Sequence, residues 1–87
     1  MITIYKYKII PNLEIKLPKY AKILTLQVQN GDPFVWVLLE TDQIRSEKYK
    51  FYTIGTGHDA EITLEKEYLG TFQLLDGLVF HVFYEIL

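Results

Sequence analysis

The chain has 87 residues, no cysteine, and a formal net charge of −2 with acidic and basic side chains interspersed. That length allows one β domain, residues 1–87, with a thin core that buries roughly 60–65% of the surface its unfolded chain exposes. The missing cysteines exclude disulfides and thiolate metal sites, and the balanced charge gives no field for long nucleic acid or an anionic membrane.

Apolar and polar residues alternate with period two over several segments, and helical spacing is sustained nowhere, so the pattern is all-β. Ile2 to Ile10 reads as the first strand and ends at the Pro11-Asn12 turn signal. Leu13 to Leu17 is a short strand stopped by Pro18, and it belongs at a sheet edge because proline cannot donate to a ladder. Ala21 to Gln29 places Leu24, Leu26 and Val28 on one face and Ile23, Thr25, Gln27 and Gln29 on the other. Asn30-Gly31-Asp32 is a hairpin turn whose residues tolerate positive φ. Phe34 to Leu39 is apolar on both faces, which marks a central strand whose outer side needs a second layer or a second subunit.

Thr41 to Ser46 reads as a loop, and Glu47 to Ile54 as a strand with Tyr49 and Phe51 opposite Lys48, Lys50 and Tyr52. It ends in Gly55-Thr56-Gly57-His58, after which His58 to Lys66 reads as an excursion loop. Tyr68 to Leu75 and Leu78 to Ile86 are two strands joined by the Asp76-Gly77 hairpin. About seven short antiparallel strands at regular spacing predict a small barrel or sandwich. Seven Tyr, five Phe and one Trp exceed what one thin core needs, so self-association as a homo-oligomer is expected.

Few constellations in this chain carry chemistry. Ser46 is the only serine and sits in no nucleophile elbow, and the paired acids have no desolvating context, so a non-enzymatic protein is expected. His58 with Asp59 and Glu61, or His81 with Glu85, lacks a recognised ligand spacing, and no metal or cofactor is expected. His81, on the Val79/His81/Phe83 face, reads as a core or interface histidine with one hydrogen-bond partner. The Gly55-Thr56-Gly57-His58 turn offers backbone N–H groups and a hydroxyl to an anion. The alternative for that turn is a tight bend that needs glycine for geometry alone. Lys48 and Lys50 would add charge, and Trp36 or Tyr52 would stack on a base. The N-terminus lacks the basic start and apolar core of a signal peptide and no run is long enough to span a membrane, so a cytoplasmic location is expected.

Several blocks resemble a family of short phage and prophage proteins with no assigned reaction. They are Ile4-Tyr5-Lys6-Tyr7, Ala21-Lys22-Ile23-Leu24, Gln27 to Gly31, Trp36, Gly55 to His58, Tyr68 to Phe72 and Leu78 to Phe83. Where that family often carries a proline after the tryptophan strand, this chain has Asp42-Gln43-Ile44-Arg45. The resemblance implies a small anti-defence protein acting in the host cytoplasm. Its partner would be a small anionic ligand of the cyclic or ADP-ribose-derived nucleotide class, sequestered without turnover. The runner-up is an interaction module that blocks a host or phage protein through an aromatic β surface.

Overall fold

Period-two alternation produces seven strands in the computed structural model, which describes all 87 residues. They are β1 (Ile2–Lys8), β2 (Glu14–Pro18), β3 (Lys22–Gln29), β4 (Asp32–Glu40), β5 (Ser46–Gly55), β6 (Glu67–Gln73) and β7 (Val79–Ile86). One 3-10 turn, Glu61–Thr63, lies in the β5–β6 excursion. It is started by Asp59, whose carboxylate accepts the Glu61 N–H at 2.9 Å. No helix is long and apolar enough to cross a membrane.

The strands form two antiparallel sheets, β1-β4-β3 and β2-β5-β7-β6, stacked as a sandwich rather than closed as a barrel. β4 is the middle of its sheet and β2 lies at an edge, as the two-sided apolar run and Pro18 predict. Val35, Val37 and Leu39 from β4 meet Tyr49 and Phe51 from β5, with Leu17, Phe72 and Val82 completing the buried layer. Phe51 is fully buried, a placement that contributes about 1.5–3 kcal/mol on its own. At Asn30 and Gly31 the φ values are +53° and +84°, the double positive φ that lets a two-residue hairpin follow the sheet twist.

Two strands depart from strict alternation. β3 shifts register between Ile23 and Thr25, and β6 between Tyr68 and Gly70. The expected β3 faces are therefore corrected at Leu24: Ile23 and Leu26 both pack against the core and Leu24 is exposed, while Val28 stays in phase with Leu26 and is exposed beside the hairpin. The two bulges lie on facing edges, where the Leu26 side chain covers Gly70. A Cβ added at Gly70 would stand 3.2 Å from Leu26 Cδ2, so the missing side chain lets the sheets approach here.

Candidate functional site

The Gly55-Thr56-Gly57-His58 turn is closed by the His58 N–H donating to Gly55 O at 3.0 Å, with Gly57 at φ +88°. Those features describe a turn that requires glycine at its third position. Thr56 N–H donates to Val79 O at 3.1 Å, anchoring the turn to β7. Gly57 N–H alone has no acceptor within the chain. The turn thus offers an anion one free amide rather than a run of three, because two are spent holding the bend. Gly55 serves a different purpose: an added Cβ would lie 3.2 Å from His58 Nδ1, so the imidazole rests on bare backbone.

Beneath the turn, His81 projects from the outer face of β7, opposite Ile54 on β5 and Thr71 on β6. Its Nε2 lies 2.8 Å from Thr56 Oγ1 and its Nδ1 lies 2.9 Å from Thr71 Oγ1. Tyr68 Oη is 2.5 Å from the same Thr71 hydroxyl, and Thr56 Oγ1 donates to Val79 O at 3.2 Å. His81 is therefore a half-buried outer-face residue with two hydroxyl partners, not a core histidine with one. In the neutral imidazole the chain runs one way: Tyr68 donates to Thr71, Thr71 to Nδ1, Nε2–H to Thr56, and Thr56 to the backbone. Tyr68 also tilts against Phe83 with ring centroids 5.3 Å apart, continuing the aromatic surface beside His81.

A crevice of about 190 Å³ lies between the turn, His81 and Phe83. On the other side of Gly55, Thr56 and His58, a second hollow of about 450 Å³ reaches Gly77 to Phe80. Together they give the turn two concavities, a combined space in the range of small-molecule sites.

The remaining expected site residues lie elsewhere. Lys48 and Lys50 point along the same outer face but toward β2, where Lys48 pairs with Glu14 at 3.2 Å and Lys50 reaches the same carboxylate at 3.9 Å. Lys48 is seven residues before Gly55, about 23 Å along an extended strand. Trp36 is on the outer face of the opposite sheet, edge-on to Phe34 at 6.0 Å, so one copy of the chain does not bring it to the turn.

Tyr52 sits between these regions. Its ring is covered, with the Lys50 and Lys66 ammonium groups 5.3 and 5.8 Å from its centroid, and its phenol donates to a Glu85 carboxylate oxygen across the β5–β7 ladder. That hydrogen bond, with burial second, pushes the phenol up to about 12. The same bond, helped by Lys66 at 3.5 Å, holds Glu85 below its ordinary value. Tyr52 is thereby committed within the sheet. No group of three or more His, Asp or Glu side chains converges in a way that could hold a metal.

Sequence reasoning found the turn but missed Thr71, Tyr68 and Phe83 as its neighbours. Alternation along β7 does place His81 and Phe83 on one face, whereas Tyr68 and Thr71 are an odd number of residues apart and share that face only because of the β6 bulge.

The architecture defines a small antiparallel sandwich domain with a crevice beside the glycine turn at one end of its four-stranded sheet. The chain belongs to the family described as Domain of unknown function (DUF7352), whose model matches residues 1–87. No curated protein and no solved structure matches it.

Proposed function

We propose that this domain is a non-enzymatic binding protein that holds a small anionic ligand, a nucleotide by class, at the two hollows flanking the Gly55–His58 turn. The observation that carries the reading is the His81 imidazole held between the Thr56 and Thr71 hydroxyls at the edge of the crevice. The free Gly57 amide and the unpaired His58 side chain supply hydrogen bonds to an anion, while the His81 imidazole, with both nitrogens held by threonine hydroxyls, fixes the turn that presents them. Phe83 supplies an apolar wall for a base. Both ring nitrogens of His81 are taken by threonine hydroxyls and no carboxylate orients the ring as a base, which suits retention rather than turnover.

The resemblance to small phage proteins narrows the ligand to a cyclic or ADP-ribose-derived nucleotide signal, sequestered in the host cytoplasm. In that reading the protein acts as a homo-oligomer. Its accessible surface of 5817 Å² exceeds the roughly 5,400 Å² expected for a monomer of its mass. The outer face of the β1-β4-β3 sheet presents Ile4, Phe34, Trp36 and Leu38 with no layer over them. A molecule 40 × 29 Å across its broad face has room for the roughly 800 Å² per partner that a stable interface buries. A second copy on this face would cover Trp36.

Calorimetry of the intact protein against cyclic dinucleotides and cyclic ADP-ribose variants tests ligand binding. Saturable heat that His81→Ala weakens at least tenfold supports the reading. No heat at protein concentrations well above micromolar ends it. Light scattering tests assembly, and the 10.3 kDa monomer mass throughout the micromolar range would remove the oligomer. The aromatic face would then be free to meet a different protein, as the interaction-module reading requires.

A further inference from the structure

A sheet edge is a row of unpaired backbone N–H and C=O groups, and in this sandwich every edge but one is blunted. β2 has five residues and closes on Pro18. β3 and β6 each carry a bulge and lie against each other. β1 is the exception, because its seven residues pair with β4 without a register shift. Thr41 N–H donates to Met1 O and Ile9 N–H to Pro33 O, so the odd-numbered residues of this ladder turn their backbone groups toward β4. The N–H and C=O groups of Ile2, Ile4, Lys6 and Lys8 therefore point out along an edge that no other strand covers.

β1 also overhangs the core. Tyr5 pairs with Val37 and shares its inward face, yet Val37 is fully buried while Tyr5 is 48% exposed. The four-stranded sheet stops short of it. An aromatic ring left uncovered on the core side of an open edge fits one more strand rather than another layer.

The residues of the edge select that strand. Aligned antiparallel with a second copy of itself so that Tyr5 meets Tyr5, β1 sets Ile2 against Lys8 and Ile4 against Lys6. Those are the residues whose backbone groups face outward, so each such pair is hydrogen-bonded. This register uses the whole strand and leaves no lysine opposite a lysine, whereas a shift of one pleat repeat toward Lys8 would put Lys6 against Lys6. The lysine stems lie along the partner's isoleucines, and the ammonium groups are already directed onto their own chain, Lys8 to Asp32 and Lys6 to the Gln29 amide oxygen.

We infer that β1 is a homodimerisation edge: two copies join antiparallel through Ile2–Lys8 about a two-fold axis at Tyr5, fusing their three-stranded sheets into one. The inference rests on the homo-oligomer reading and names a contact for it. Such a contact closes on itself, so the joined molecule keeps no unprotected edge. The outer face with Trp36 stays open beside it.

The test is amide hydrogen exchange by NMR on the intact protein, at a concentration where light scattering reports twice the 10.3 kDa monomer mass. The Ile4 and Lys6 amides should exchange about a hundredfold more slowly than after dilution to the monomer. Cysteine trapping gives a second measurement in a chain that has no cysteine of its own. Facing residues of a non-hydrogen-bonded pair have Cα atoms about 4.5 Å apart, within disulfide range. Tyr5→Cys should therefore oxidise to a covalent dimer by itself, and Thr3→Cys and Tyr7→Cys only when mixed. A dimer whose Ile4 and Lys6 amides exchange as fast as in the monomer overturns the edge contact and leaves the homo-oligomer reading standing through the outer face. Cross-linking of Thr3→Cys alone as readily as Tyr5→Cys also overturns it. A monomer throughout the micromolar range removes the edge contact and the homo-oligomer together, while calorimetry still decides nucleotide binding.

Discussion

His81 Nε2 lies 2.8 Å from Thr56 Oγ1, and this contact ties the glycine turn to the outer face of β7. Because the Thr56 hydroxyl donates onward to Val79 O, its oxygen is left to accept from the ring.

Replacing Thr56 with valine therefore removes the acceptor that selects the Nε2–H form. The expected loss is about 0.5–1.5 kcal/mol, seen as a fall of several degrees in Tm. Nitrogen NMR should show the ring exchanging between tautomers. Thr56→Ser should restore both. An unchanged ring spectrum in the valine variant would show that the hydroxyl does not orient the imidazole.

The Tyr52–Glu85 bond sets stability at both ends of the pH scale. Glu85 has a depressed folded pKa, so its contribution is present above the ordinary value of 4.5 and is lost as pH falls through the folded value. Tyr52 is raised from 10.0 to about 12, so its contribution is full below 10 and is lost as pH rises toward 12. Burial also raises Tyr7, Tyr49 and Tyr84, so phenolate absorbance should show several late-titrating tyrosines, of which Tyr52→Phe deletes one. Carbon NMR should show the Glu85 carboxyl moving toward its ordinary value in the same variant.

Two glycines near hydrogen-bonded strands should answer alanine differently. At Gly70 the new Cβ meets Leu26 Cδ2 at 3.2 Å and Leu26 Cβ at 3.3 Å, inside the seam between the sheets, so Gly70→Ala should cost about 1–3 kcal/mol. At Gly55 the nearest atoms belong to the exposed His58 ring, which can swing away. Gly55→Ala should keep Tm within a few degrees while shifting the His58 resonances. Equal destabilisation by the two substitutions would contradict the packing described for the seam.

Thr53→Val should stabilise the domain by about 1–2 kcal/mol, because it removes a shielded hydroxyl that has no partner and keeps the shape of the side chain. Chemical denaturation reads this directly as a higher midpoint at unchanged slope. A lower midpoint would mean that the hydroxyl is satisfied in solution.

The bulges show where reading the chain stops short. Counting by twos along Ala21 to Gln29 groups Leu24 with Leu26, yet the register shift after Ile23 carries Ile23 and Leu26 inward together. The same arithmetic separates Tyr68 from Thr71, yet the shift before Gly70 lets their hydroxyls meet. The β3 bulge carries no local signal, since Leu24 is an ordinary strand residue, whereas Gly70 inside β6 marks the second one, a sign that counting by twos passes over.

Alternation, the Asn30-Gly31 turn, Pro18 and the two-sided apolar run of β4 were sufficient for strand number, the tight hairpin, the edge position of β2 and the central position of β4, because each is a preference of neighbouring residues. The phase of β3 and β6, the partners of His81, the separation of Trp36 and Lys48 from the turn and the shielding of the Thr53 hydroxyl depended on tertiary structure. Those features arise where the two sheets meet or where strands distant in sequence pair, and the energy of such contacts is decided by residues that local periodicity never compares.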